Sequence, residues 1–295
     1  MRCRAADREL IHRVRSRGKL DCRVVGVYRK AANLLDPEGR IITAVLHRPE
    51  PVPGGFSLLL PEEMPWPESL KTLCLCWEGE EAPGILSMDE HTREVDFTLP
   101  PAEAEVCPRQ TQVLANFLAE HCPPGGIASL LERGGWSCIP PREPADGDRG
   151  GEVLANFLGR LSAGTLTPHT PILGLGIGLT PSSDDFVLGL LAVFHRYGNP
   201  LGKKVEACVQ RQLSGTTPVS AEVLRGGLEG RYPLYISRLL KELERGEILP
   251  REVLEEFLDH GHSSGTDMLY GILWGLKLNL AGVPSRQKEK AEGET

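Results

Sequence analysis

Asp185 and Asp267 are the carboxylates whose surroundings look most like a reaction site. The first closes Gly174-Leu175-Gly176-Ile177-Gly178-Leu179-Thr180-Pro181-Ser182-Ser183-Asp184-Asp185, which runs straight into the apolar stretch 186–194. Three glycines in five residues permit a tight backbone with positive φ, and Pro, Ser and Asp are residue types that open helices. The second carboxylate stands in Gly261-His262-Ser263-Ser264-Gly265-Thr266-Asp267, ahead of the apolar stretch 268–280. Aligning the two pairs Ser182 with Ser264, Asp185 with Asp267 and Gly189 with Gly271. Each reads as Ser-x-x-Asp before a hydrophobic run, close to a capping box.

A helix start laid against a glycine loop suits an anion, because its N–H groups and the positive end of its dipole face outward. Two such helices, brought tip to tip, would share one cleft. The chemical candidates there are Asp185, Asp267 and His262, the last as an acid or base near neutral pH. Candidates for substrate contact are Gly176, Gly178, Thr180, Ser182, Ser183, Asp184, Thr216, Thr217, Ser263, Ser264, Gly265 and Thr266. Asp184 and Asp185 lie about 100° apart around a helix, so one is expected to brace the loop while the other faces the cleft. Carboxylates beside an anion repel it unless they accept hydrogen bonds from N–H groups of the same ligand or a cation bridges them. The bland alternative is that these residues only cap helices and that the glycines only permit close packing.

These residues carry a resemblance. GLGIGLTPSSDDFVLGLL is similar to the GLGPGLTPSGDD signature of the AllH-like family, named for a subunit associated with oxamate carbamoyltransferase. GHSSGTDMLYGILWGL resembles the same family's C-terminal signature, and Thr216-Thr217-Pro218-Val219-Ser220 with 224–230 resembles its intervening helix. Ile177 and Ser183 depart from the family's usual Pro and Gly. The resemblance implies a carbamoyltransferase subunit in purine catabolism. Such a subunit would act with partner chains on a small anionic amide: oxalurate and phosphate on one side, oxamate and carbamoyl phosphate on the other.

Two other functions fit the residues. One is a Mg²⁺-dependent phosphoryl-transfer or hydrolytic enzyme with the ion on Asp184, Asp185 and Asp267; the other is a non-catalytic subunit that senses an anion or acts as a scaffold. Only the metal enzyme needs a cofactor, and no P-loop lysine accompanies the glycines.

The elements that would position these residues divide by composition. Short β-branched or alternating segments, separated by Pro and Gly, fall at 22–28, 32–35, 41–46, 56–60, 73–77, 85–88 and 94–99, after a short helix at 8–15. Helical periodicity then takes over at 110–121, 127–133, 203–213, 219–228, 232–244 and 250–260, beside the two apolar stretches. The expected fold is α+β: a mainly antiparallel sheet or small barrel over 1–101, then a helical bundle over 102–283 with two buried central helices, and a disordered tail at 284–295. The hexapeptide Val113-Leu114-Ala115-Asn116-Phe117-Leu118 recurs at 153–158, which suggests two similar helices on similar surfaces.

A net charge of -7 argues against a nucleic-acid surface or an anionic membrane face. The apolar runs are too short to span a bilayer. Eight scattered cysteines, with no paired Cys-x-x-Cys, point to free thiols in a reducing cytoplasm; Cys74 and Cys76 are expected side by side on one strand face as small apolar groups.

Overall fold

Alternation along 19–27 places Leu20 and Cys22 inward and Lys19, Asp21 and Arg23 outward, and this strand is central to an eight-stranded sheet. The computed structural model describes residues 3–58, 66–67, 70–79, 82–121, 125–133, 149–245 and 249–281. A Pro-, Gly- and Asp-rich loop is expected over 140–151; its residues up to 148, the end of the strand expected at 56–60 and the tail at 284–295 lie outside the described residues, whereas 149–151 instead open a helix over Arg149–Ser162. Two units result. One lies within 1–98 and takes in Arg231–Leu234; the other holds 99–230 and 235–295.

The first unit contains β1 (Ala5–Asp7), α1 (Arg8–Arg17), β2 (Lys19–Val27), β3 (Ala31–Leu35), β4 (Ile41–Leu46), β5 (Phe56–Leu58), β6 (Thr72–Trp77), β7 (Ile85–Met88) and β8 (Arg93–Val95). Strand order is β7-β6-β2-β3-β4-β5-β1-β8. A hairpin forms between β3 and β4 at Asp36-Pro37-Glu38-Gly39, where Asp36 accepts the N–H groups of Glu38 and Arg40 and Gly39 takes φ 77°. The sheet curls until the Cys3 N–H reaches the Ser87 carbonyl at 3.1 Å.

The α+β expectation holds, but the pairing is more mixed than a mainly antiparallel sheet. β1 with β8, β4 with β5 and β6 with β7 run parallel. β1 went unexpected because Ala-Ala-Asp carries no strand signal of its own. It is fully buried between β5 and β8, so tertiary pairing alone makes it a strand. Leu10, Ile11 and Val14 of α1 fill the same core.

Residues 232–233 were expected to begin a helix. Instead Tyr232 donates its N–H to the Phe97 carbonyl, and Arg231 pairs with Asp7 at 3.0 Å. Pro233 explains the shift, since the residue before proline is steered out of the helical region.

The second unit is helical: α2 (Pro108–His121), α3 (Gly126–Arg133), α4 (Arg149–Ser162), α5 (Ser182–Tyr197), α6 (Leu201–Gln212), α7 (Pro218–Leu228), α8 (Leu234–Glu244), α9 (Arg251–Leu258) and α10 (Ser264–Ala281). The repeated hexapeptide lies on α2 and α4 with the same face inward: Leu114, Phe117 and Leu118 are buried in one copy, Leu154, Phe157 and Leu158 in the other. No described helix is long and apolar enough to cross a membrane.

At the centre α5 crosses α10, and glycine decides how closely. A Cβ on Gly189 would strike the Met268 carbonyl, and one on Gly271 would strike the Phe186 carbonyl. Phe186 and Met268 occupy equivalent places in the two motifs, as do the two glycines. The crossing is therefore reciprocal, an approximate two-fold arrangement that sets the starts of both helices beside each other.

Candidate functional site

The glycine loop is folded by positive φ at Gly174 (82°), Gly176 (116°) and Gly178 (102°). This brings the loop back over the start of α5. The Gly174 N–H donates to Asp184 Oδ1 at 2.7 Å, and the Leu175 N–H to Ser183 Oγ at 2.9 Å. Asp184 Oδ2 accepts the hydroxyls of Thr216 and, at 2.6 Å, Ser220. Thr217 caps α7 and donates its hydroxyl to the Leu179 carbonyl.

Of the two neighbouring aspartates, Asp184 is thus the brace. Both of its oxygens are engaged, and Ser183, Thr216 and Thr217, also expected to touch a ligand, hold the loop in place. Ser220→Ala is expected to cost about 2 kcal/mol, since a buried carboxylate loses a charge-assisted donor. The midpoint of urea unfolding would report it.

Asp185 lies on the other side of the helix start, next to Asp267; both are 2% exposed. Here the bonding crosses between the two motifs. The hydroxyls of Ser264 and Thr180 bond to Asp185, that of Ser182 bonds to Asp267, and Thr180 and Ser264 join each other at 2.9 Å. A third helix meets them, because Asp267 Oδ1 accepts the Ile127 N–H at the start of α3 at 2.7 Å. Gly126 makes this approach possible: its φ is 66°, and a Cβ there would collide with the Asp267 carboxyl.

Oδ2 of Asp185 and Oδ2 of Asp267 are buried with no hydrogen-bond partner. Burial raises both pKa values. Asp267 is pushed up to about 6, against the opposing bonds from Ile127, Ser182 and Ser263. Asp185 goes well above the usual carboxylate range, with the neighbouring Asp267 charge adding to burial. Such a pair retains a proton where ordinary aspartates have lost theirs.

The helix starts themselves correct two expectations. Ser182 does not cap α5: the N-cap is Pro181, with no side-chain cap bond, and the serine points across to Asp267 instead. Nor are most of the helix-tip N–H groups free. Those of Ser183, Asp184 and Asp185 are taken by the carbonyls of Leu175 and Pro181, and those of Gly265 and Asp267 by His260 and Ser263. Open donors lie in the loop instead. The N–H groups of Gly176, Ile177, Gly178, Leu179 and Thr180 have no acceptor among the described residues, and Ile177 is 95% exposed.

In the second motif, Gly265 permits close packing on the Phe257 carbonyl, and Thr266 bonds back to the Ser263 carbonyl. His262 is exposed and lines a cavity of about 220 Å³ with His121, Phe257, Leu258, His260, Gly265 and Thr266. Gly126, Ile127, His121 and His260 lie outside both motifs. Only the first two had a usable signal, the Pro-Pro-Gly-Gly run just before α3. Among the described residues no three His, Cys, Asp or Glu side chains group so as to hold a metal ion.

Fold and site together define an α+β protein whose helical unit folds around a buried carboxyl pair at the meeting of three helix starts. The family model of oxamate carbamoyltransferase subunit AllH matches residues 172–276, a span that includes both motifs and the Thr216–Ser220 brace. The resemblance read from the motifs is borne out over that span, and this part of the chain is similar to that family. No solved structure matches the chain.

Proposed function

We propose that this chain is a subunit of a cytoplasmic carbamoyltransferase complex that exchanges oxalurate and phosphate with oxamate and carbamoyl phosphate. The observation that carries the reading is the pair of unpartnered buried oxygens on Asp185 and Asp267, lying inside the family-matched span. Two acceptors without donors suit a group that brings N–H bonds, and the –NH₂ of a carbamoyl or oxamate group does so.

In the transfer, the carbamoyl C–N bond of oxalurate breaks, a C–O bond to phosphate forms, and the oxamate nitrogen gains a proton. The raised pKa values of Asp185 and Asp267 equip the pair to supply and take back that proton. Substrate oxyanions would rest on the free N–H groups of Gly176, Gly178 and Thr180, and His262 would act at the mouth of the cavity beside α10. Ser183, Asp184, Thr216 and Thr217 position the loop.

The magnesium alternative loses a ligand, since both oxygens of Asp184 are already bonded within the protein. The scaffold alternative draws support from the helix-tip amides of Ser183, Asp184, Asp185, Gly265 and Asp267, which are already occupied. Carbamoyl transfer measured for the purified chain with and without its partner subunits separates catalysis from scaffolding. We expect little turnover from the chain alone, restoration in the complex, and loss of that turnover in Asp185→Asn while the subunits still assemble. Full turnover by the lone chain would refute the subunit reading; unchanged turnover in the assembled variant would leave only a scaffold.

A further inference from the structure

Cys74 and Cys76 are two residues apart on β6, so both point to the outer face of the sheet while Leu73 and Leu75 fill the core. They were expected to be small apolar groups. Instead both are only half-buried, and their sulfurs touch at 3.2 Å. Across the ladder Asp21 stands opposite Cys74 and Lys19 opposite Cys76, and the Cys74 thiol donates to the Asp21 carboxylate. Lys19 lies 3.4 Å from Asp21.

Three features narrow what this pair can do. Burial, together with the Cys76 and Asp21 contacts, pushes the Cys74 thiol up to about 12, so little of the reactive thiolate is present and spontaneous oxidation is slow. A disulfide would also be strained, because neighbouring same-face positions of an extended strand hold their Cα atoms near the upper limit of disulfide geometry. Thirdly, the nearby carboxylate disfavours bare thiolates but favours a cation that replaces their protons. Sulfurs already in contact fit an ion that binds two thiolates at roughly a right angle, as trivalent arsenic does. A linear two-coordinate ion needs them further apart.

We propose that Cys74 and Cys76 form a chelating dithiol site for a single thiophilic ion of the trivalent-arsenic class, on the outer face of the sheet. With phenylarsine oxide as the probe, two As–S bonds form, the As–O bond breaks, and the oxygen leaves as water with both thiol protons. No oxidant or reductant is needed.

The test is intact-mass measurement of the reduced full-length chain titrated with phenylarsine oxide. We expect one adduct per chain, removed by a competing 1,2-dithiol but not by an equal concentration of monothiol. Cys74→Ser or Cys76→Ser should weaken it at least tenfold, whereas Cys107→Ser should leave it unchanged. Both serine substitutions face outward, and circular dichroism checks that the variants fold; Cys76→Ala provides a second replacement. No adduct on the wild type, or an adduct of unchanged affinity in both serine variants, would overturn the proposal.

Discussion

Gly271→Ala is expected to destabilise the helical unit by about 3 kcal/mol, at the upper end of what overpacking costs. Helix propensity argues the other way, since alanine is favoured over glycine inside a helix by about 1 kcal/mol. Packing prevails because the added Cβ meets the Phe186 carbonyl of α5, which is backbone and cannot turn aside as a side-chain tip would. In a unit of this size the loss corresponds to a Tm lowered by roughly 6–12 °C. Gly159 is the control: it lies in α4 with nothing near its missing Cβ, so Gly159→Ala should be neutral or stabilise by up to about 1 kcal/mol. Calorimetry of both variants would decide the matter. Equal effects would mean that the helices do not cross at the two glycines.

Asp267→Asn is expected to make the protein more stable at neutral pH, by up to about 3 kcal/mol. The folded state raises the pKa of Asp267 from 3.8 to about 6. An acid whose pKa is raised by folding contributes stability below its unfolded pKa and loses that contribution as pH rises through the folded value. Wild type should therefore weaken relative to the variant between about pH 4 and pH 6, and the gap should then level off. Asparagine keeps an oxygen for the Ile127 N–H and replaces the unpartnered Oδ2 with a donor that can face Asp185. Urea titrations at pH 4, 6 and 7.5 would follow the difference. Parallel curves at all three would show that Asp267 titrates as an ordinary carboxylate. A variant that gains stability while the complex loses transfer activity would mark the carboxyl as kept for chemistry at the expense of the fold.

Much of this site was legible in advance. Apolar runs at 186–194 and 268–280 announced two buried helices, because hydrophobic periodicity acts locally and leaves its mark in order along the chain. That one of Asp184 and Asp185 would brace the loop followed from helix geometry alone. Which of the two does so was not legible. Asp184 is the brace because Thr216, just before α7, and Ser220, in its first turn, reach its carboxylate, and Asp185 faces Asp267 because α10 crosses at the glycines.

The sequence by itself determined the division into a strand-rich and a helical part, the two glycine-marked helix starts and their kinship with a carbamoyltransferase subunit family. Tertiary structure alone decided that α3 contributes the Ile127 N–H to Asp267, that most helix-tip amides are already occupied, and that Ala-Ala-Asp becomes a buried strand. The reason is physical: a residue's apolar or polar character is its own, whereas a hydrogen bond or a desolvated charge belongs to two groups that only folding brings together.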